Sequence, residues 1–390
     1  MLKEIAVDKL IQGEKNMDLN GFSIVIASKG RVKLLEDLLI SVKKARDNFK
    51  GPTEVLLIDD SNEEDSKKIV EICEKYDVTL INFGPSVSEK RNVGARKAQY
   101  DIVLFLDSDC IATPNLLNEH YKLYTDEKVG GVAGYLEFVG EDTWFWQAVD
   151  KTPFTICFSF PKWMETVPWT PTANCSIRKE VFEKINGFDR SFPDKPGGED
   201  VDLGLRMTKA GYIFKCTADG LVYHSKKTWI PVKAMIKRLW HYGAANYYLT
   251  DKHPDYVMEI MPRKSSLYLT GILATLLLAL VTLNPWTLIS VPVWIIADIM
   301  LSAIFINKFA SYKGTSFLKQ CVVQLLILDN ELGYVWTCIK KKKPGYINKD
   351  VVYFDGQMDG IQDTSSIMTW CNMLSFAILI CLSLILMICL

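Results

Sequence analysis

This chain of 390 residues predicts an α/β domain with a mostly parallel, Rossmann-like sheet, followed by membrane-spanning helices. Three observations predict it. Over the first ~110 residues, short apolar runs alternate with helix-periodic stretches, the pattern of βαβ units. Two of those runs end in paired carboxylates, at Asp59-Asp60 and at Asp107-Ser108-Asp109. Most of the long apolar runs lie after residue 260.

The elements follow in order. Residues 22–27 (FSIVIA) form a strand apolar on both faces, as a buried parallel strand is. Residues 31–48 place Val32, Leu35, Leu38, Leu39 and Val42 at helical spacing. Gly51-Pro52 turns the chain into a second strand, 54–58 (EVLLI). A second helix over 61–76 follows, and capping it is the alternative to a site role for Asp60 or Ser61. A third strand at 78–81, a third helix at 88–98 and a fourth strand at 102–106 (IVLFL) complete the repeat. Thr113-Pro114 supplies an N-cap and first-turn pair for another helix.

Charge balance narrows the partners. Lys+Arg number 45 and Asp+Glu 46, a formal net charge of -1, so no basic excess holds a polyanion and nucleic acid is not expected. The opening residues carry scattered charges and no apolar core, so no signal peptide is expected. The 10 cysteines form no C-x-x-C, and no His stands at zinc-finger spacing from them. Reduced, buried thiols are expected, consistent with a cytosol-facing domain.

A membrane span needs ~20 apolar residues. Residues 267–283 are uncharged, Asn284-Pro285 makes a tight turn, and 286–306 carry Asp298 as the only charge. These two segments read as a transmembrane hairpin, and the uncharged run 367–390 as a final span. Arg263-Lys264 and the lysines at 340–343 place the flanking segments on the cytoplasmic side. Residues 317–339 are apolar but include Lys319, Asp329 and Glu331, and read as an amphipathic helix in the interface.

In open α/β sheets, ligands bind beyond the carboxyl ends of the strands, so the two acidic clusters are expected to share one crevice. No G-x-G-x-x-G follows the first strand and no G-x-x-x-x-G-K-[ST] occurs, which disfavours dinucleotide and P-loop chemistry. Carboxylates at Asp107 and Asp109 are of the type that holds Mg2+ or Mn2+ while leaving room for phosphate oxygens. Alone, each cluster also fits a turn or helix cap. Arg91 and Asn92, in the stretch SEKRNVGAR, are placed to meet a phosphate or base, or simply to face solvent. Gly197-Gly198-Glu199-Asp200 opens a helix, whose dipole is expected to keep Asp200 ionised; by its local sequence alone the stretch reads as a plain capping segment. Trp169, just before Pro171 and the NCS segment, is expected to line an acceptor cleft.

The order VLLIDDS, SEKRNVGARKA, DIVLFLDSDC, NCSIRKEVFEKINGFD, GGEDVDLGLRMTKAGY resembles the family 2 glycosyltransferases of the GT-A fold over roughly residues 20–250. That resemblance implies an inverting transfer from a nucleotide-diphosphate sugar with a divalent metal, Mg2+ or Mn2+. It puts Asp59 and Asp60 at the base and ribose, Arg91 at the donor, Asp107 and Asp109 at ribose and metal, and Asp200 in the role of general base. Ser28, Arg31 and Asn92 join the donor side, and Glu199 and Arg206 the acceptor side. His224 resembles a late His that completes the metal or diphosphate site in some relatives. The first strand ends in Ala27-Ser28-Lys29, where many relatives turn with Pro-Thr or Pro-Ala. Polymerising relatives carry Q-x-x-R-W, whereas this chain reads Met235-Ile236-Lys237-Arg238-Leu239-Trp240, which speaks against processive synthesis. That helix still resembles the interface helix of membrane-bound relatives, with Trp240, Tyr242, Tyr247 and Tyr248 near the headgroups.

The expected organisation is an extension (1–20), a catalytic domain (21–225), an interface region (226–262), a hairpin (263–306), a cytoplasmic loop with an interfacial helix (307–366) and a last span (367–390). The expected activity is transfer to a lipid-linked or membrane-proximal glycan acceptor by an integral membrane protein, with membrane lipids as partners and the catalytic domain cytoplasmic. The alternatives are a polyprenyl-phosphate glycosyltransferase, a short polysaccharide synthase, and a membrane scaffold built on a retired sugar-nucleotide fold.

Overall fold

The computed structural model describes residues 19–193, 197–260, 262–309, 315–352 and 359–389, with side chains from 359 to 369 and beyond 386 excepted. Most of the expected extension, 1–18, lies outside the described residues. The chain divides into two compact units, 1–140 with 156–226, and 141–155 with 227–390.

The first unit is built on a sheet of nine described strands in the order β3-β2-β1-β4-β8-β6-β9-β5, with β7 paired to β9. The strands are β1 Phe22–Ser28, β2 Thr53–Asp59, β3 Thr79–Asn82, β4 Ile102–Asp107, β5 Cys110–Ala112, β6 Val129–Val139, β7 Thr166–Val167, β8 Asn174–Arg178 and β9 Ile213–Ser225. β1, β2, β3 and β4 pair in parallel, while β8 runs antiparallel between β4 and β6. The sheet is therefore mixed but mostly parallel in its first half, as expected. β1 is buried almost throughout because helices cover both its faces, the reason its sequence carries no polar alternation.

The helices of this unit are α1 Val32–Asp47, α2 Glu63–Tyr76, α3 Val87–Lys97, α4 Leu116–Tyr121, α5 Lys179–Lys184 and α6 Glu199–Lys209. α1 buries Leu35, Leu38, Leu39 and Val42, one stripe at 3.6-residue spacing. α2 is capped by Asn62, whose side chain accepts from Asp65 N at 3.0 Å, and not by Asp60 or Ser61. Those two residues are drawn into the strand-end hydrogen bonds described below. α4 likewise starts later than Thr113-Pro114 suggests: the Thr113 hydroxyl donates to Leu221 O of β9 at 2.8 Å, leaving Asn115 as the N-cap residue. α3 lies unusually close to the sheet. A Cβ on Gly94 would fall 2.3 Å from Val25 Cγ1 and 2.8 Å from Ile58 Cδ1, so only glycine lets α3 rest on β1 and β2.

The second unit contains α7 Val232–Lys252, the short strands β10 Val257–Glu259 and β11 Lys349–Val351, α8 Lys264–Thr282, α9 Ser290–Phe309, α10 Phe317–Lys340 and α11 Asp359–Cys389. Among the described residues, Lys264–Thr282, Pro285–Phe309 and Phe317–Lys340 are long and apolar enough to cross a membrane. The first two fall on the apolar runs 267–283 and 286–306, and in the turn between them the Asn284 side chain accepts from Trp286 N at 3.0 Å. The third is the segment read above as interfacial, yet its length and composition also suit a span. The expected last span falls on α11, of which Trp370–Leu386 is an apolar helix within the described side chains. Lys264 and Asp298, each 1% exposed, pair at 2.9 Å between α8 and α9, and the Tyr268 hydroxyl donates to Asp298 at 2.5 Å. Burying two charges is tolerable only with such pairing.

Candidate active site

Strand register positions the acidic residues. Ser28 at the end of β1 lies opposite Asp59 of β2, and Ala27 opposite Asp107 of β4. The two acidic clusters therefore flank the carboxyl end of one central strand. An open cleft of about 620 Å³ lies over the β2 and β3 side, lined by Asp59, Asp60, Ser61, Asn82 and Phe83 among others. Asp107, Asp109 and Asp200 are not part of that lining.

On the β2 side, Asp59 is 1% exposed and accepts from both the amide and the hydroxyl of Ser61 at 2.8 Å. Asp60 is held by Lys29 at 2.8 Å and by Lys90 of α3. Burial works against the charge of Asp60, but these two ammonium groups outweigh it and hold the carboxyl below its ordinary range. Lys90 also donates to Ser28 O at 2.5 Å. The Ser28 hydroxyl is buried with no hydrogen-bond partner among the described residues.

On the β4 side, Arg31, with φ 55°, donates to Asp109 at 2.8 Å and to Ser108 at 3.0 Å. His224 of β9 stands opposite Cys110 of β5, and its Nε2 lies 3.5 Å from Asp109. Ligand atoms of Asp109, Cys110 and His224 all fall within 4.8 Å of one another, and all three residues are buried. A carboxylate with an imidazole suits a divalent cation. Asp107 is not in that group: it accepts from Arg91 at 3.0 Å instead. Burial opposes its charge, yet Arg91, His224 and Arg31 together hold its carboxyl below the usual range.

Arg91 connects this side to α6. Its second guanidinium nitrogen donates to Glu199 at 3.0 Å, and both side chains are 6% exposed. Glu199 also accepts from Gly197 N at 2.6 Å. Asp200 follows directly, its carboxylate accepting from Val201 N at 2.9 Å. The expectation of a readily ionised Asp200 is corrected here. Burial, with the neighbouring Glu199 charge, pushes it up to about 7, against the pull of Arg91. Desolvation of the first turn exceeds the benefit of the helix dipole.

Two expected site residues are committed elsewhere. Both halves of the Asn92 amide bond the main chain of Phe188, at 2.9 and 2.8 Å, and the residue is 4% exposed. Arg206 is taken up by Asp202 at 2.7 Å and by the carbonyl of Ile185. Trp169 is 9% exposed. Conversely, Lys29, Lys90 and Cys110 were not singled out from sequence. The signal for Lys90 was its place beside Arg91 in SEKRN, legible only once α3 is known to lie on the strand ends.

Residues 23–186 match Glycosyl transferase family 2, and residues 153–228 match the N-terminal domain of galactosyltransferase. The chain is 23% identical over 249 residues to chondroitin synthase of Pasteurella multocida, covering 53% of this chain and 25% of that protein. It is 26% identical over 224 residues to validoxylamine A glucosyltransferase of Streptomyces hygroscopicus, covering 48% of this chain and 51% of that one. The chain thus spans between a quarter and a half of these relatives. A mannosyltransferase of Pyrobaculum calidifontis, solved with GDP-Man and Mn2+, superposes with a TM-score of 0.45 at 16% identity, covering 64% of this chain and 71% of that one.

Proposed function

For a chain that carries a glycosyl transferase family 2 domain, we propose an inverting sugar transfer from a nucleotide-diphosphate donor to a lipid-linked or membrane-proximal acceptor at the cytoplasmic face. The observation that carries this reading is Arg91. One buried guanidinium spans Asp107 at the β4 end and Glu199 at the start of α6, tying the D-x-D to the helix that presents Asp200.

Asp59 and Asp60 border a cleft able to take a nucleoside, with exposed Phe83 in its lining. Asp109 and His224 are the residues that would hold Mg2+ or Mn2+, with Asp107 beside them at the ribose. Such a cation, when bound, neutralises charge building on the departing diphosphate. Asp200, poised near neutrality, accepts the proton of the acceptor hydroxyl as that oxygen attacks the anomeric carbon, a role worth ~10²–10⁴-fold. One base facing one leaving group makes the displacement direct and inverting. The apolar helices α8, α9 and α10 support placement of the acceptor at a membrane.

The test uses the purified full-length protein with a panel of nucleotide sugars and either metal. Asp200→Asn should retain metal-dependent donor binding by calorimetry and lose transfer, whereas Asp109→Asn should lose both. Undiminished transfer by Asp200→Asn refutes the assignment of the base. Transfer that survives Asp200→Asn but not Asp109→Asn points instead to an acceptor already anionic, a polyprenyl phosphate. The synthase names of relatives favour a second reading, repeated addition to one chain. Product length by mass spectrometry separates it from single transfer.

A further inference from the structure

A groove of about 360 Å³ runs along one face of α7. It is lined by Lys233, Ile236, Lys237, Trp240 and His241, spaced i, i+3, i+4, i+7 and i+8 on the helix, and by Asp329 of α10. A close helix crossing builds it. A Cβ on Gly243 would lie 1.8 Å from Asn330 O, and one on Gly333 would lie 2.2 Å from Trp240 O. The two backbones touch, which carries Asp329 into a groove otherwise formed by α7.

The charges of this groove do not cancel. Lys233 and Lys237 are exposed, and neither forms an ion pair with a described residue. Asp329 also forms no ion pair, and its Oδ2 is buried without a hydrogen-bond partner among the described residues. A buried carboxylate oxygen left unpaired is costly, so the site is incomplete as it stands. What completes it must bring an anion to the lysines and an N–H donor to Asp329, with apolar matter against Ile236 and Trp240. Ile236 is 46% exposed and Val232 50%, and in the same unit α8 and α9 expose Leu277, Leu280, Val281 and Ile296. That apolar surface suits acyl chains.

We propose that this groove binds the phosphoethanolamine headgroup of a bilayer phospholipid, the phosphate against Lys233 and Lys237 and the ammonium against Asp329. A choline headgroup has no N–H to donate, and a glycerol headgroup brings no cation, so each satisfies only part of the site. The proposal rests on the membrane-anchored reading above and adds a lipid specificity to it.

The experiment uses full-length protein in nanodiscs of phosphatidylcholine alone, or mixed with phosphatidylethanolamine or phosphatidylglycerol. Retained lipid is read by native mass spectrometry, and vesicle flotation is run in parallel. The wild type should retain phosphatidylethanolamine about tenfold over phosphatidylcholine, the size of one charge-assisted hydrogen bond. Asp329→Asn should lose that advantage while keeping any retention of phosphatidylglycerol, and K233Q/K237Q should lose both. The wild-type ranking is independent of whether any variant folds. Flotation without preference for phosphatidylethanolamine overturns this proposal alone. Failure to float on any vesicle overturns the membrane reading, and this proposal with it.

Discussion

Asp200→Asn is expected to stabilise the protein in a pH-dependent way. Burial and the Glu199 charge raise the Asp200 carboxyl from 3.8 to about 7. An acid whose folded value lies above its unfolded value binds its proton more tightly when folded. Its contribution is therefore most favourable below the unfolded value and is lost as pH rises through the folded one. The interval from 3.8 to about 7 corresponds to at most ~4 kcal/mol at 1.36 kcal/mol per pH unit, fully developed only above pH ~8. Asparagine keeps the shape and carries no charge at any pH. Wild type and variant should melt together near pH 4, and the variant should melt several degrees higher near pH 8, where a few kcal/mol moves a domain of this size by that much. The assay is thermal unfolding of both proteins in one detergent, followed by tryptophan fluorescence from pH 4 to 8.5. A difference in melting temperature that does not widen with pH would falsify the claim that Asp200 is held near neutrality by desolvation.

Three further outcomes follow from the same geometry. Arg91→Met leaves the buried Asp107 and Glu199 carboxylates without their bridging cation; breaking such a buried pair costs ~3–5 kcal/mol, and the acid limb of the kcat/KM profile should move to higher pH as Asp200 loses a compensating cation. Gly94→Ala sets a methyl 2.3 Å from Val25, should cost ~1–3 kcal/mol by overpacking, and should weaken nucleotide binding by calorimetry because α3 carries Lys90 and Arg91. His120 is fully buried between Ser176 and Asn174, and burial pushes it down to about 4 from 6.5. The unfolded chain takes up a proton there first, so stability should fall as pH drops from 6.5 toward 4. Urea melts at pH 7 and pH 5 should show that slope reduced in His120→Gln, and an unchanged slope would assign it to other groups.

The strands and most helices of the first ~110 residues were legible because their signals are local: continuous apolar runs for buried parallel strands and a 3.6-residue stripe for α1. Boundaries shifted where side chains found distant partners. Thr113 bonds Leu221 on β9 and so does not cap α4, and Asp59 holds Ser61, leaving Asn62 to start α2. Trp169 and Arg206 have surroundings that their neighbours in sequence do not reveal, for a related reason. An aromatic next to a motif and a cation one turn beyond it look available in one dimension, whereas packing and Asp202 occupy them in three.

The sequence by itself determined the strand-and-helix alternation, the acidic strand ends and the long apolar helices, because hydrophobic period, turn chemistry and run length act over a few residues. Tertiary structure alone decided which charges meet. Arg91 and Glu199 stand 108 positions apart yet bond at 3.0 Å. Cys110 and His224 pair only because β5 folds back onto β9. The proton affinity of Asp200 likewise follows from the surfaces that exclude water from it, and solvent exclusion is a property of the packed chain rather than of any local stretch.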